Sequence, residues 1–135
     1  MKKTIMVSGG FDPVHVGHLR MFQEASKLGR LVVALNSDEW LMRKKGYIFM
    51  PFEERKEIIQ GFSCVSSVTH IEDEDNSACE AIERIHPDVF ANGGDRFENN
   101  TPETLTCIKY DIEMLWGVGG GKIQSSSDMV KNAKK

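Results

Sequence analysis

His15 and His18 stand three residues apart in the run Gly9-Gly10-Phe11-Asp12-Pro13-Val14-His15-Val16-Gly17-His18. Two imidazoles at that spacing can face one anion, and Gly17 between them has no side chain to block its approach to the backbone. The same pair could share a zinc ion with Asp12 as third ligand, although no cysteine pair or further histidine stands nearby at ligand spacing. Either chemistry needs a turn that holds both rings. Before the run, Thr4-Ile5-Met6-Val7-Ser8 is an apolar stretch stopped by two glycines, the pattern of a buried strand ending in a turn. After it, Leu19, Phe22, Ala25 and Leu28 recur at three-residue steps with Gly29 beyond, which predicts an amphipathic helix with a C′ glycine. The histidines therefore fall at or just before a helix N-terminus. Unpaired backbone N–H groups and the positive end of the helix dipole favour an anion there.

Other segments supply candidate walls for the same site. Leu31 to Asn36 reads as a strand covered on both faces, and Asn36-Ser37-Asp38 at its carboxyl edge points toward a ligand crevice. From Glu39 to Met50 the periodicity fades, so Arg43-Lys44-Lys45-Gly46 reads as a loop, either a solvated charged one or a mobile basic lid over phosphates. Pro51 opens a helix with Ile58, Ile59 and Phe62 on its apolar side. Arg55 lies in its early turns, where the dipole disfavours a cation and a further partner is expected. Val65 to Ile71 suggests a third strand, and Glu72-Asp73-Glu74-Asp75 a solvated loop before a helix marked by Ala78, Ile82 and Ile85 and ended by His86-Pro87. Asp88 to Ala91 is a fourth strand running into Asn92-Gly93-Gly94-Asp95-Arg96. The glycines there allow close backbone approach to a ligand, and Asp95 can accept hydrogen bonds from ribose hydroxyls. A helix from Thr101-Pro102-Glu103 to about Tyr110 and a strand from Ile112 to Val118 follow. Gly119-Gly120-Gly121-Lys122 and Ser125-Ser126-Ser127 then make an anion cradle at the start of a last helix, without Walker A spacing. Ser125 and Asp128 also fit a capping box, which is compatible with that role.

Strands alternating with helices predict an α/β fold: a single doubly wound, Rossmann-like domain over residues 1–135, with a five-stranded, mostly parallel sheet and helices on both faces. The glycine-rich turns after strands one, four and five would open on one carboxyl edge. At 40% hydrophobic and 27% charged residues the composition is that of a globular domain, not a disordered or fibrous one. A formal charge of −3 gives no bulk attraction to nucleic acid or an acidic membrane, so anion binding must be local. The first apolar run is too short for a signal segment, and none reaches transmembrane length. Three widely spaced cysteines without a CxxC fit reduced thiols in a cytoplasmic protein.

Gly10-Phe11-Asp12 with His15, Gly17 and His18 resembles the GxFDxxHxGH signature of the cytidylyltransferase-like nucleotidyltransferases. The likeness extends through Val33 to Asp38, Pro51 to Arg55, Pro87 to Asp95 and Ile123 to Ser127. Within that family the chain is similar to the glycerol-phosphate cytidylyltransferases and the heptose-phosphate adenylyltransferases. The resemblance implies transfer of a nucleoside monophosphate from an NTP to a sugar, polyol or alcohol phosphate, with release of pyrophosphate. It implies His15 and His18 as donors to the phosphates, with countercharge from Lys44 or Lys45, Arg55 and Lys122. Gly9, Gly10, Phe11, Asp12 and Gly17 would shape the nucleotide turn. Asn92, Gly93, Gly94, Asp95 and Ser125 to Ser127 would complete the nucleotide site, and Asp38 and Arg96 would meet the acceptor. Mg²⁺ would come with the NTP, with no metal site made by protein side chains alone, and a homodimer is implied. Gly119 to Ser127 lacks the arginine of the cytidylyltransferase segment, and Asn36-Ser37-Asp38 and Gly93-Gly94-Asp95 stand nearer the adenylyltransferases. ATP is therefore favoured over CTP. A catalytically silent nucleotide-binding module and a metal-dependent hydrolase are the alternatives.

Overall fold

The computed structural model describes residues 3–93 and 102–118. Its elements run β1 (Thr4–Gly9), α1 (Val16–Ser26), β2 (Arg30–Leu35), α2 (Asp38–Lys45), α3 (Phe52–Gln60), β3 (Ser67–His70), α4 (Cys79–Ile85), β4 (Val89–Gly93), α5 (Pro102–Lys109) and β5 (Glu113–Val118). All strand pairs are parallel, in the order β3-β2-β1-β4-β5. The chain winds outward from β1 to β3, crosses back, and continues from β4 to β5. The winding therefore reverses between β1 and β4, and ligands of such sheets bind beyond the carboxyl ends at that reversal.

Strand alternation divides the core into two layers. Ile5, Val7, Leu31, Val33 and Leu35 pack with Phe22 and Ala25 of α1 and Ile59 of α3. Met6, Ala34 and Phe90 face the other way, onto Ala81 and Ile82 of α4 and Cys107 of α5. Covering both faces explains why β1 and β2 are nearly continuous apolar runs.

Three local expectations change. Arg43 to Gly46, read as a loop, are the last turn and cap of α2, in which Ser37 caps through Trp40 N–H, Asp38 and Glu39 lie in the first turn, Arg43 to Lys45 in the last, and Gly46 closes it at φ 84°. These end signals stabilise a helix that buries only Leu41, so no apolar periodicity marks it. Gly29 is not a left-handed cap; α1 ends at Lys27 with φ −69°. Gly29 is instead crowded by the N-terminal chain, since a Cβ there would lie 2.2 Å from the Lys3 carbonyl oxygen, which accepts from Arg30 N–H. Asp73 leaves the expected solvated acidic loop and is 4% exposed. Its carboxylate accepts from Asn36 Nδ2, Ser37 N and Ser37 Oγ, tying the end of β2 to the loop after β3.

Candidate active site

The turn from Gly9 to His18 leads directly from β1 into α1. Phe11 has φ 50°, and its ring lies against Gly9, where a Cβ would stand 3.0 Å from Phe11 Cζ. That ring meets His18 edge-on at 4.8 Å and Phe22 at 5.2 Å, fixing the floor under the histidines. His15 is the N-cap of α1: its Nδ1 accepts from Gly17 N–H at 3.1 Å. His18 Nδ1 accepts from His15 N–H at 3.2 Å. The two imidazoles thus form a reciprocal capping box, and their rings stack at 3.8 Å and 21°.

A backbone N–H can only donate, so both Nδ1 atoms are unprotonated and each ring carries its proton on Nε2. Burial holds the His15 pKa below its ordinary value. Burial first, then the neighbouring His15 and Lys45, brings His18 down to about 3. Both rings are neutral donors at physiological pH. His15 Nε2 is buried without a hydrogen-bond partner. A buried donor left unpaired is costly, and an anionic oxygen would satisfy it.

Behind this turn lies a clasp built from residues expected in the site. Asp12 is fully buried and accepts from Phe49 N–H and Met50 N–H, while its carbonyl accepts from Lys45 Nζ at 2.7 Å. Arg55 is 0% exposed. Its Nε donates to the Met50 carbonyl at 2.9 Å, its Nη1 to the Gly10 and Asn36 carbonyls at 2.8 and 2.9 Å, and its Nη2 to Asp38 Oδ1 at 2.8 Å. Asp38 Oδ1 also accepts from Phe52 N–H, fixing the start of α3. Arg55 is thus buried among protein acceptors, while the Asp38 side chain stays 33% exposed and makes both of these bonds through Oδ1. The guanidinium fork reaches backbone carbonyls in three separate segments, and so joins the signature turn, the end of β2 and the α2–α3 loop. The zinc arrangement does not fit this geometry, because Asp12 is engaged and each ring, accepting at Nδ1, carries its proton on Nε2. Among the described residues no three His, Cys, Asp or Glu side chains are grouped to hold a metal ion.

Lys44 sits on the same face of α2 as Trp40, its ammonium 5.8 Å from the ring centroid. Both line a cavity of about 260 Å³ at the carboxyl edge, bounded by Ser8, Gly9, Asn36, Asn76, Ser77 and Glu103. Lys45 faces the other way, toward Asp12 and His18. Asn92 is buried and donates from Nδ2 to the Leu115 carbonyl at 3.3 Å, and Gly93 ends β4. Gly94, Asp95, Arg96, Lys122 and Ser125 to Ser127 lie outside the described residues. Trp40, Asn76 and Glu103 line the cavity without having been foreseen. Trp40 lay in a stretch without apolar periodicity, and nothing in the order of residues 76 and 103 connects them to residue 44.

The model of the family described as cytidylyltransferase-like matches residues 6–131. The chain is similar to the bifunctional protein HldE of Syntrophotalea carbinolica, 38% identical over 107 residues, covering 77% of this chain and 21% of that protein. It is also similar to the FAD synthase of Ferroglobus placidus, 34% identical over 94 residues, covering 70% of this chain and 60% of that one. The chain thus spans about a fifth of HldE and three fifths of this FAD synthase. The fold matches the crystal structure of a lipopolysaccharide core biosynthesis protein from Thermoplasma volcanium with TM-score 0.70, 23% identity and coverage of 86% and 96% of the two chains. With its signature turn, its all-parallel sheet and a family match over residues 6–131, this chain belongs to the cytidylyltransferase-like family.

Proposed function

We propose that the protein is a nucleotidyltransferase that moves a nucleoside monophosphate from an NTP, ATP rather than CTP, to a phosphorylated small molecule. An acceptor phosphate oxygen forms a bond to the α-phosphorus of the NTP, the bond from that phosphorus to the bridging oxygen breaks, and pyrophosphate leaves with the electron pair. A phosphomonoester is largely ionised near neutral pH, its second pKa being about 6, so neither an enzyme nucleophile nor a strong base is needed. The demands are in-line positioning and stabilisation of charge on the phosphates.

The observation that carries this reading is the pair of neutral Nε2–H donors at the N-terminus of α1, one of them buried and unpaired. They suit phosphate oxygens and, being neutral, act as hydrogen-bond donors and not as general bases. Lys45 beside the turn and Lys44 in the cleft supply countercharge. Arg55 and Asp12 hold the turn in shape from behind. Lys122, Asp95, Arg96 and Ser125 to Ser127 enter this reading through the family resemblance alone. When bound with the triphosphate, Mg²⁺ supplies charge neutralisation between phosphates. Asp12 and Asp38 are engaged in the clasp, so its ligands would be phosphate oxygens and water. No helix among the described residues is long and apolar enough to cross a membrane. A cytoplasmic homodimer is part of the proposal, and sedimentation of the purified protein checks the dimer.

Pyrophosphate release measured for ATP, CTP, GTP and UTP against sugar, polyol and alcohol phosphates tests the reading. Release should require both substrates and be greatest with ATP. His18→Ala should lower turnover at least about a hundredfold with the fold intact, the usual worth of one transition-state donor. Near-normal turnover in that variant would remove the assigned role. Nucleotide binding without pyrophosphate release would mark a silent module.

A further inference from the structure

Burial does little to fix α2. It is eight residues long and buries only Leu41, and a helix of that length is marginal by itself in water. Its orientation nevertheless decides what two of the proposed phosphate cations meet. Successive residues of a helix stand about 100° apart around the axis; the rotation seen here places Lys44 in the cavity beside Trp40 and sends Lys45 to the Asp12 carbonyl at 2.7 Å. The polar bonds that set this rotation converge on the loop after β3, and on Asp73 within it. At the start of the helix, Asp73 Oδ1 accepts from Ser37 Oγ and Oδ2 from Ser37 N–H, each at 2.7 Å, while Asn36 Nδ2 donates to Oδ2 at 3.1 Å. Ser37 Oγ in turn accepts from Trp40 N–H at 3.0 Å. In the last turn, Arg43 Nη2 donates to the Asp73 carbonyl at 2.6 Å and Arg43 Nε to Asn76 Oδ1 at 3.1 Å. Asn76 N–H donates to that same Asp73 carbonyl at 2.9 Å. Asn76 adopts φ 63°, a left-handed conformation that asparagine tolerates better than most residues. Of the three consecutive cations that end α2, Arg43 is therefore a latch on the loop.

We propose that Asp73 is a positioning residue for phosphate binding: its side chain holds the start of α2 and its carbonyl the end, and together they aim Lys44 and Lys45 without Asp73 touching the anion. The proposal rests on the reading that these lysines supply countercharge to the phosphates. Asp73 is 4% exposed and Asn36 6%, so water competes little for the bonds at the start of the helix. A lysine ammonium ends a flexible four-carbon stem, and the backbone that carries the stem is the part the fold can orient in advance. If α2 were free to turn or fray, anion binding would have to order the helix as well as the side chains, and affinity would fall. A tie at one end alone would leave the helix able to pivot; Asp73 reaches both ends. A plain structural tie predicts something different, namely a loss that does not depend on whether the lysines are present.

The test uses the full chain and inorganic tripolyphosphate, with binding followed by calorimetry. Asp73→Ala should weaken binding about tenfold. Asp73→Asn should stay within about twofold of the wild type, because its amide oxygen can accept from the two N–H donors while its NH₂ donates to Ser37 Oγ. Arg43→Met, at an exposed side chain, releases the other end; it should cost about as much as Asp73→Ala and carries the test if that variant does not fold. In chains already carrying Lys44→Met or Lys45→Met, Asp73→Ala should cost only about threefold, since one of the two cations it aims is gone. An undiminished affinity in Asp73→Ala, an equal loss in Asp73→Asn, or a full tenfold loss in both lysine backgrounds overturns the proposal. Lysine-dependent binding that ignores Asp73 and Arg43 removes the positioning role alone, whereas unchanged affinity in both lysine variants removes the countercharge reading and the positioning role with it. Asp73-dependent binding with no pyrophosphate release from any NTP keeps the role and removes the transferase reading.

Discussion

The capping box made by His15 and His18 fixes the protonation of both rings, and this can be tested by lowering the pH. In the folded protein the His18 pKa is brought down to about 3, while an unfolded histidine titrates near 6.5. Below about pH 6.5 the unfolded chain therefore binds a proton that the native ring refuses, and stability falls as pH falls toward the folded value. Each pH unit in that window is worth about 1.4 kcal/mol, so the descent from about 6.5 to 4 corresponds to roughly 3 kcal/mol. Solvent screening of a half-buried ring reduces this to about 2 kcal/mol. Urea unfolding of the wild type and His18→Gln across pH 4 to 8 isolates the contribution, because glutamine does not titrate. The wild type should lose about 2 kcal/mol more than the variant between pH 6.5 and 4. Long-range nitrogen–proton spectra should show His18 as the neutral tautomer protonated on Nε2 throughout that range. A His18 that titrates near 6.5, or carries its proton on Nδ1, refutes the neutral-donor account and with it the argument that these rings serve as hydrogen-bond donors.

The remaining predictions concern the scaffold behind the turn. Arg55→Leu leaves the Gly10, Asn36 and Met50 carbonyls without their partner, so unfolding in urea should show a loss of at least about 3 kcal/mol. A surface cation meeting only phosphates would instead cost little stability when removed. Gly29→Ala forces a Cβ toward the Lys3 carbonyl at 2.2 Å, and the resulting overpacking should cost about 1–3 kcal/mol, read as a lowered denaturation midpoint. An ordinary helix-terminating glycine without left-handed backbone would tolerate alanine.

Much of the fold was legible from local pattern alone. The apolar runs and the glycine or proline breaks around residues 4–9, 30–35 and 88–93 mark parallel strands because a strand covered on both faces has little choice of residue. The placement of His15 and His18 at a helix N-terminus was legible from the apolar steps that follow them, since helical periodicity acts within a few residues, whereas their mutual capping was not. Residues 38–45 escaped because a two-turn helix that buries one side chain has end signals but no stripe.

What only the tertiary structure decided are the contacts between segments far apart in sequence. Arg55 carries the same charge wherever it points, and its removal from the cleft follows from three backbone carbonyls that the folded chain brings around it. Asp73 looked like one member of an acidic run until β2 and β3 lay side by side and Asn36 and Ser37 offered it three donors. Glu103 comes to line the same cavity as Lys44 only through the packing of α5 in the folded chain. Local sequence determines which backbone groups are exposed at an element's end. Packing determines which distant side chain satisfies them, and so which charges are left to meet a ligand.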